Sequence, residues 1–170
     1  MSSWACPAPF PTPPMKSELR RFLRGFHYAA SGIWAALRAE RNLRFHLCAA
    51  VYVLLFSRFY SFGRLEYALL FLCIGGVMSL ELANSAVERA VDRPDAEHWA
   101  AAGLAKDMAA GAVLVFSIAA AAVGITLFWQ PAVLAGIPGW LAGHPLALAL
   151  LAASLPCAVC FVLQLSLIHI

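Results

Sequence analysis

The chain has 170 residues, of which 62% are hydrophobic and only 12% charged, and it carries a formal net charge of +3. That balance excludes an ordinary soluble globular domain and points to a membrane protein. The positive excess gives no argument for nucleic acid: every Asp, Glu, Lys and Arg lies between Lys16 and Asp107, where bases flank apolar runs and set membrane orientation.

Residues 1–16 read as a disordered leader. Five prolines stand between Ala5 and Pro14 with no base among them, and the apolar core of a secretory signal does not follow. Ser17 to Arg38 then reads as an amphipathic helix. Leu19, Phe22, Leu23, Phe26, Ala30, Ile33 and Leu37 recur at three- and four-residue steps, with Arg20, Arg21 and Arg24 on the other side. A basic face opposite a Phe/Leu/Trp face suits a helix lying in the membrane interface.

Leu43 to Tyr60 is the first expected span, with Arg58 snorkelling to the far interface. Ser61 to Arg64 is a turn. The second span starts near Leu65 and meets no proline until Pro94. A helix of that length is longer than the hydrocarbon core, about 30 Å thick, so its end should project. The third span is Gly103 to Trp129, rich in alanine and glycine, which let membrane helices approach closely. Gln130 to Gly139 reads as an uncharged Pro/Gly loop, and Trp140 to Leu163 as a fourth apolar run interrupted by Pro145 and Pro156. The fold class is therefore an all-α membrane protein: an N-terminal interfacial amphipathic helix, three transmembrane helices and an additional C-terminal hydrophobic helix.

The domains divide as 17–130, the membrane core, and 131–164, an extra hydrophobic segment. Residues 165–170 match the translation of a sequencing-adapter end and are expected to be foreign to the natural chain. Of the five cysteines, Cys157 and Cys160 form a Cys-x-x-Cys pair, but within an apolar helix they read as packing residues. Seven bases precede the first span, two lie between the first and second, three flank the loop before the third and none follows. The positive-inside rule places the N-terminal helix and the 89–106 loop in the cytoplasm.

The chemistry gathers where the second span ends. Glu81, Asn84, Glu88 and Asp92 share one helical stripe. Like charges so spaced repel unless a cation, a base or a proton sits among them. Glu81 follows the apolar run directly, and desolvation there would make it a proton acceptor for an alcohol. Glu40 and Glu88 offer hard oxygen ligands for Mg²⁺, and Lys106 a point charge for phosphate. A base at the lipid boundary, a carboxylate pair and a lysine read as phosphoryl transfer, without a P-loop or a protein-kinase signature. The bland alternative is a set of helix-end charges that neutralise one another in a structural bundle.

Three motifs stand in order: Ala39-Glu40-Arg41-Asn42-Leu43-Arg44-Phe45-His46, Glu81 to Asp92, and Ala105-Lys106-Asp107 through Ala112. Over residues 17–130 the chain resembles the prokaryotic diacylglycerol kinase and undecaprenol kinase family, the first motif tilting it towards the undecaprenol branch. The resemblance implies a homotrimer in the bacterial inner membrane with its site facing the cytoplasm, moving the γ-phosphate of ATP, with Mg²⁺, to a lipid alcohol. It implies that Glu81 is the catalytic base, that Glu40 and Glu88 hold the metal of MgATP, and that Lys106 and Asp107 contact the nucleotide. Asn84 would organise the site, and Arg21, Tyr28 and Glu97 would make further ATP contacts. The loop departs from the family: Glu97-His98-Trp99 stands where Glu-Tyr-His is usual. Two competing readings are a catalytically inactive structural or regulatory subunit and a small transporter using the stripe as an ion path. A stripe confined to one helix end argues against the transporter.

Overall fold

A computed structural model describes residues 15–92 and 100–163. Its described residues form six α-helices: α1 (Met15–Ala39), α2 (Arg41–Phe56), α3 (Arg64–Val91), α4 (Ala100–Phe128), α5 (Pro131–Gly143) and α6 (Pro145–Leu163), with a 3-10 turn at Ser57–Phe59. Three of them, α3, α4 and α6, are long and apolar enough to cross a membrane. The chain divides into two compact units, Met1–Ala35 and Ala36–Ile170.

The N-terminal unit holds most of α1. Its amphipathic pattern is realised as one continuous helix, which begins at Met15 rather than at a Ser17 cap. Phe22 and Phe26 stand one turn apart and meet edge to face, ring centroids 4.9 Å apart.

In the second unit, α1 and α2 join at Glu40. This residue takes an extended backbone, φ −98° and ψ 116°, as the N-cap of α2. Glu40 thus interrupts the helical run and swings its carboxylate out at the elbow. Arg44, one turn on, is 1% exposed. Its Nη1 donates to the carbonyls of Leu37 and Arg38 at 3.2 and 3.0 Å, and its Nε and Nη2 donate to the Val162 carbonyl at 3.3 and 3.1 Å. These carbonyls belong to the last turns of α1 and α6, the negative ends of both helix dipoles. A guanidinium with five donors satisfies several orphan carbonyls at once, which is how a charge is buried here without a carboxylate.

The expected first span is shorter than its sequence suggests. α2 has 16 residues, about 24 Å at 1.5 Å per residue. The 3-10 turn prolongs it to Phe59, where Ser57 donates to the Leu54 carbonyl at 2.7 Å. Tyr60 then donates to the Phe128 carbonyl at 2.9 Å and packs against Phe62 and Phe128. The Glu66 carboxylate accepts from the Gly63 N–H at 2.9 Å and starts α3.

α3 has 28 residues, about 42 Å long, and outruns a hydrocarbon layer of about 30 Å. Its most extensive neighbour is α4. At Gly76 of α3 an added Cβ would run into the ring of Phe116 on α4. Glycine is required at this position by packing, as small residues are in membrane helix contacts generally.

The C-terminal segment corrects one expectation. Residues 131–143 are not a loop but the helix α5. Pro131 sits in its first turn, where its missing N–H costs nothing, and Leu134 N–H donates to the Gln130 carbonyl at 3.0 Å. The uncharged Pro/Gly composition was compatible with a short apolar helix because Pro138 removes only one internal hydrogen bond. Pro145 then starts a new helix, with His144 between the two at φ −128° and ψ 72°. α6 runs antiparallel along α2. Arg44 and Tyr52 lie about two turns apart on α2, as do Val162 and Ser154 on α6, and Tyr52 hydroxyl meets Ser154 Oγ at 3.0 Å. Cys157 and Cys160 are free and exposed on α6, so they do not fill a core between the described helices.

Candidate active site

The stripe on α3 turns inward. Glu81 is 5% exposed, and Asn84 and Ser85 are buried beside it. Glu81 meets His46 of α2, Asn84 and Glu88 meet each other, and Asp92 meets Lys106 of α4, the cation that a neighbouring helix brings to the stripe.

His46 of α2 reaches Glu81, with Nε2 3.2 Å from Oε1. The two side chains are close enough for an ion pair whenever the imidazole is protonated. His46 also lines an apolar cleft of about 590 Å³ between α2, α3 and α4, together with Ala50, Leu70, Val77, Ala121 and Phe128 among others. Glu81 is thus a buried carboxylate whose near neighbour, His46, borders an apolar space.

One turn along α3, Asn84 Nδ2 donates to Glu88 Oε1 at 2.9 Å. Asn84 Oδ1 is buried and finds no partner among the described residues. An unsatisfied buried oxygen beside a carboxylate is the kind of vacancy that a hard cation or a donor from a substrate would fill. Glu40 is drawn to the same turn from the α1–α2 elbow by Arg89, whose Nη2 donates to Glu40 Oε1 at 3.0 Å. Asp92, for which the sequence suggests no role, binds Lys106 of α4: Nζ donates to both carboxylate oxygens, at 2.9 and 2.8 Å. Asp107 is exposed on the next position of α4.

The sequence therefore marked residues that the fold does gather: Glu40, Glu81, Asn84, Glu88 and Lys106 all belong to one end of the α2–α3–α4 group. Among the described residues, no cluster of three or more His, Cys, Asp or Glu forms a ready metal site. Arg21 and Tyr28 lie on α1 within the N-terminal unit, both exposed. Glu97 lies outside the described residues. Two residues escaped attention as site residues, His46 and Arg89. Each is a single polar side chain placed on a helix by period alone; only the approach of α2 to α3 shows which acid it serves.

The prokaryotic diacylglycerol kinase family model matches residues 27–128. The chain belongs to the prokaryotic diacylglycerol kinase family. The match takes in α2, α3 and α4 with Glu40, His46, Glu81, Asn84, Glu88, Arg89, Asp92 and Lys106, begins after Arg21, and ends where α4 ends. Within this family the chain is 42% identical to an undecaprenol kinase of Bacillus subtilis over 113 residues, covering 66% of this chain and 92% of that relative. It is 38% identical to a diacylglycerol kinase of Synechocystis over 64% of this chain and 63% of that relative. A diacylglycerol kinase of Escherichia coli is 30% identical over 65% of this chain and 90% of its own length. The diacylglycerol kinase family core thus accounts for the site, while α5 and α6 lie beyond the family match.

Proposed function

We propose that this chain transfers the γ-phosphate of ATP to the hydroxyl of a membrane lipid alcohol, undecaprenol or diacylglycerol, at the cytoplasmic face of the bacterial inner membrane. The observation that carries the reading is Glu81, buried and 3.2 Å from His46, a residue that itself lines an apolar cleft. A lipid alcohol is the substrate that needs such a place: its chain lies among apolar helices while its hydroxyl meets a base. Family membership and the names of the relatives support the same reading.

In this reading Glu81 accepts the proton of the lipid hydroxyl, and the alcohol oxygen attacks the γ-phosphorus. The bond between that phosphorus and the β,γ-bridging oxygen breaks, and ADP leaves. His46 fixes the Glu81 carboxylate so that its free oxygen faces the alcohol. Glu40 and Glu88 would hold the Mg²⁺ of MgATP, with the unpartnered Asn84 Oδ1 completing a hard-oxygen donor set that fits this ion. When bound, Mg²⁺ neutralises charge on the phosphate oxygens. Lys106, with Asp107 beside it, would turn from Asp92 to a phosphate oxygen when nucleotide arrives. Arg21, Tyr28 and Glu97 are the proposed further contacts to ATP. The product would feed lipid-carrier recycling or phospholipid synthesis, and the working unit is a homotrimer.

The test is a phosphorylation assay with purified chain, Mg²⁺ and ATP, offering undecaprenol and diacylglycerol separately and then in competition. Label in either lipid is the expected result. No label in either, with nucleotide still bound, would instead identify an inactive membrane subunit.

A further inference from the structure

The helices that lie beyond the family match create a second cleft, at the end of α2 remote from Glu81. It has a volume of about 730 Å³ and lies between the end of α2, α5 and α6. Leu55, Phe59, Ile137, Trp140, Leu141 and Leu150 give it apolar walls, and Arg58 is the one charged residue in its lining. Phe59 and Trp140 meet edge to face at its mouth, centroids 5.0 Å apart. Trp140 in turn stacks on His144 at 4.2 Å. Aromatic side chains of this kind collect at the membrane–water boundary, where one end of the ring is wet.

Arg58 is exposed, and no acid lines the cleft. Glu66, an acid at this end of the bundle, is engaged by the Gly63 N–H. From Met108 to Ile170 the chain carries no acid at all. The cleft therefore pairs a cation at the boundary with an apolar trough beneath it. A guanidinium presents a planar fork that matches a phosphate diester, and an acyl chain matches the trough.

We propose that this cleft binds one anionic glycerophospholipid, its phosphate on Arg58 and an acyl chain between α2, α5 and α6. The lipid fills the gap where α5 stands away from α2 and joins the C-terminal helices to the end of the kinase core. The site is separate from the phosphoryl-transfer site and does not depend on its assignment.

The experiment uses the full chain in an uncharged detergent. Phosphatidylglycerol and phosphatidylcholine with the same acyl chains are titrated while the unfolding temperature is followed. Phosphatidylglycerol should raise Tm saturably, by about 5–10 °C at a hundredfold excess over Kd, and phosphatidylcholine should raise it less. Arg58→Gln should remove the difference between the two lipids. Arg64→Gln, which deletes a cation outside the cleft lining, should keep it. Leu150→Trp, which fills the trough, should weaken the response to both. Equal responses in the unaltered protein, or a preference that survives Arg58→Gln or vanishes with Arg64→Gln, would overturn the proposal. So would a Leu150→Trp variant that changes self-association while phosphatidylglycerol has no effect, because the trough would then belong to a second copy of the chain.

Discussion

At the residue scale, the proposed mechanism rests on Glu81 and His46. A buried carboxylate needs a partner, and the imidazole 3.2 Å away supplies one. His46→Ala would leave Glu81 buried but free to turn. Misplacing a catalytic group by about 1 Å can cost about a hundredfold, so on the proposed mechanism turnover should fall by about ten- to hundredfold. KM for MgATP should stay near its original value, because His46 meets Glu81 and the apolar cleft rather than the proposed nucleotide contacts. Steady-state kinetics with ATP varied checks both statements. Asp92 gives a second prediction. Asp92→Asn should loosen Lys106, and, if Lys106 binds phosphate as proposed, raise KM for ATP while leaving the fold intact by circular dichroism. These pairings were not legible in the sequence. The period of 3.6 placed Glu81, Asn84, Glu88 and Asp92 on one stripe, yet which base meets which acid depends on where α2 and α4 pack.

At the scale of elements, two contacts decide the bundle. Gly76 lets α3 approach Phe116 of α4, and Gly76→Val would force the helices apart at the cost of about 1–3 kcal/mol. A lower Tm in thermal unfolding, with Gly75→Ala nearly unchanged, is the expected pattern, since Gly75 meets open space. Arg44 ties the last turns of α1 and α6 to α2, and Arg44→Ala should cost about 2–3 kcal/mol, read as a fall in Tm. Helix existence was plain in the sequence for α1, α3 and α4, where the period is long and the runs are apolar. α5 was hidden because Pro131, Gly136, Pro138 and Gly139 resemble loop punctuation. In a segment without charge, proline at the first turn and packing against neighbouring helices outweighed that composition. α2 was overestimated in length because apolar residues continue past Phe56 into a 3-10 turn, and composition does not distinguish the two.

On the scale of the whole molecule, a small family core meets two helices of separate origin in the sequence pattern. The core brings a buried carboxylate and a polar helix end together, and α3, about 42 Å long, exceeds the thickness of a hydrocarbon layer. α6 adds a long apolar helix against α2, so the kinase core is embedded in a larger membrane surface than residues 27–128 provide. The central claim is that Glu81 takes the proton of a lipid alcohol. The direct measurement is transfer of label from γ-phosphate-labelled ATP to lipid by the unaltered chain and by Glu81→Gln, side by side. A loss of about a hundredfold or more with an unchanged Tm and unchanged nucleotide binding is predicted; a Glu81→Gln variant that phosphorylates lipid at the original rate would contradict it.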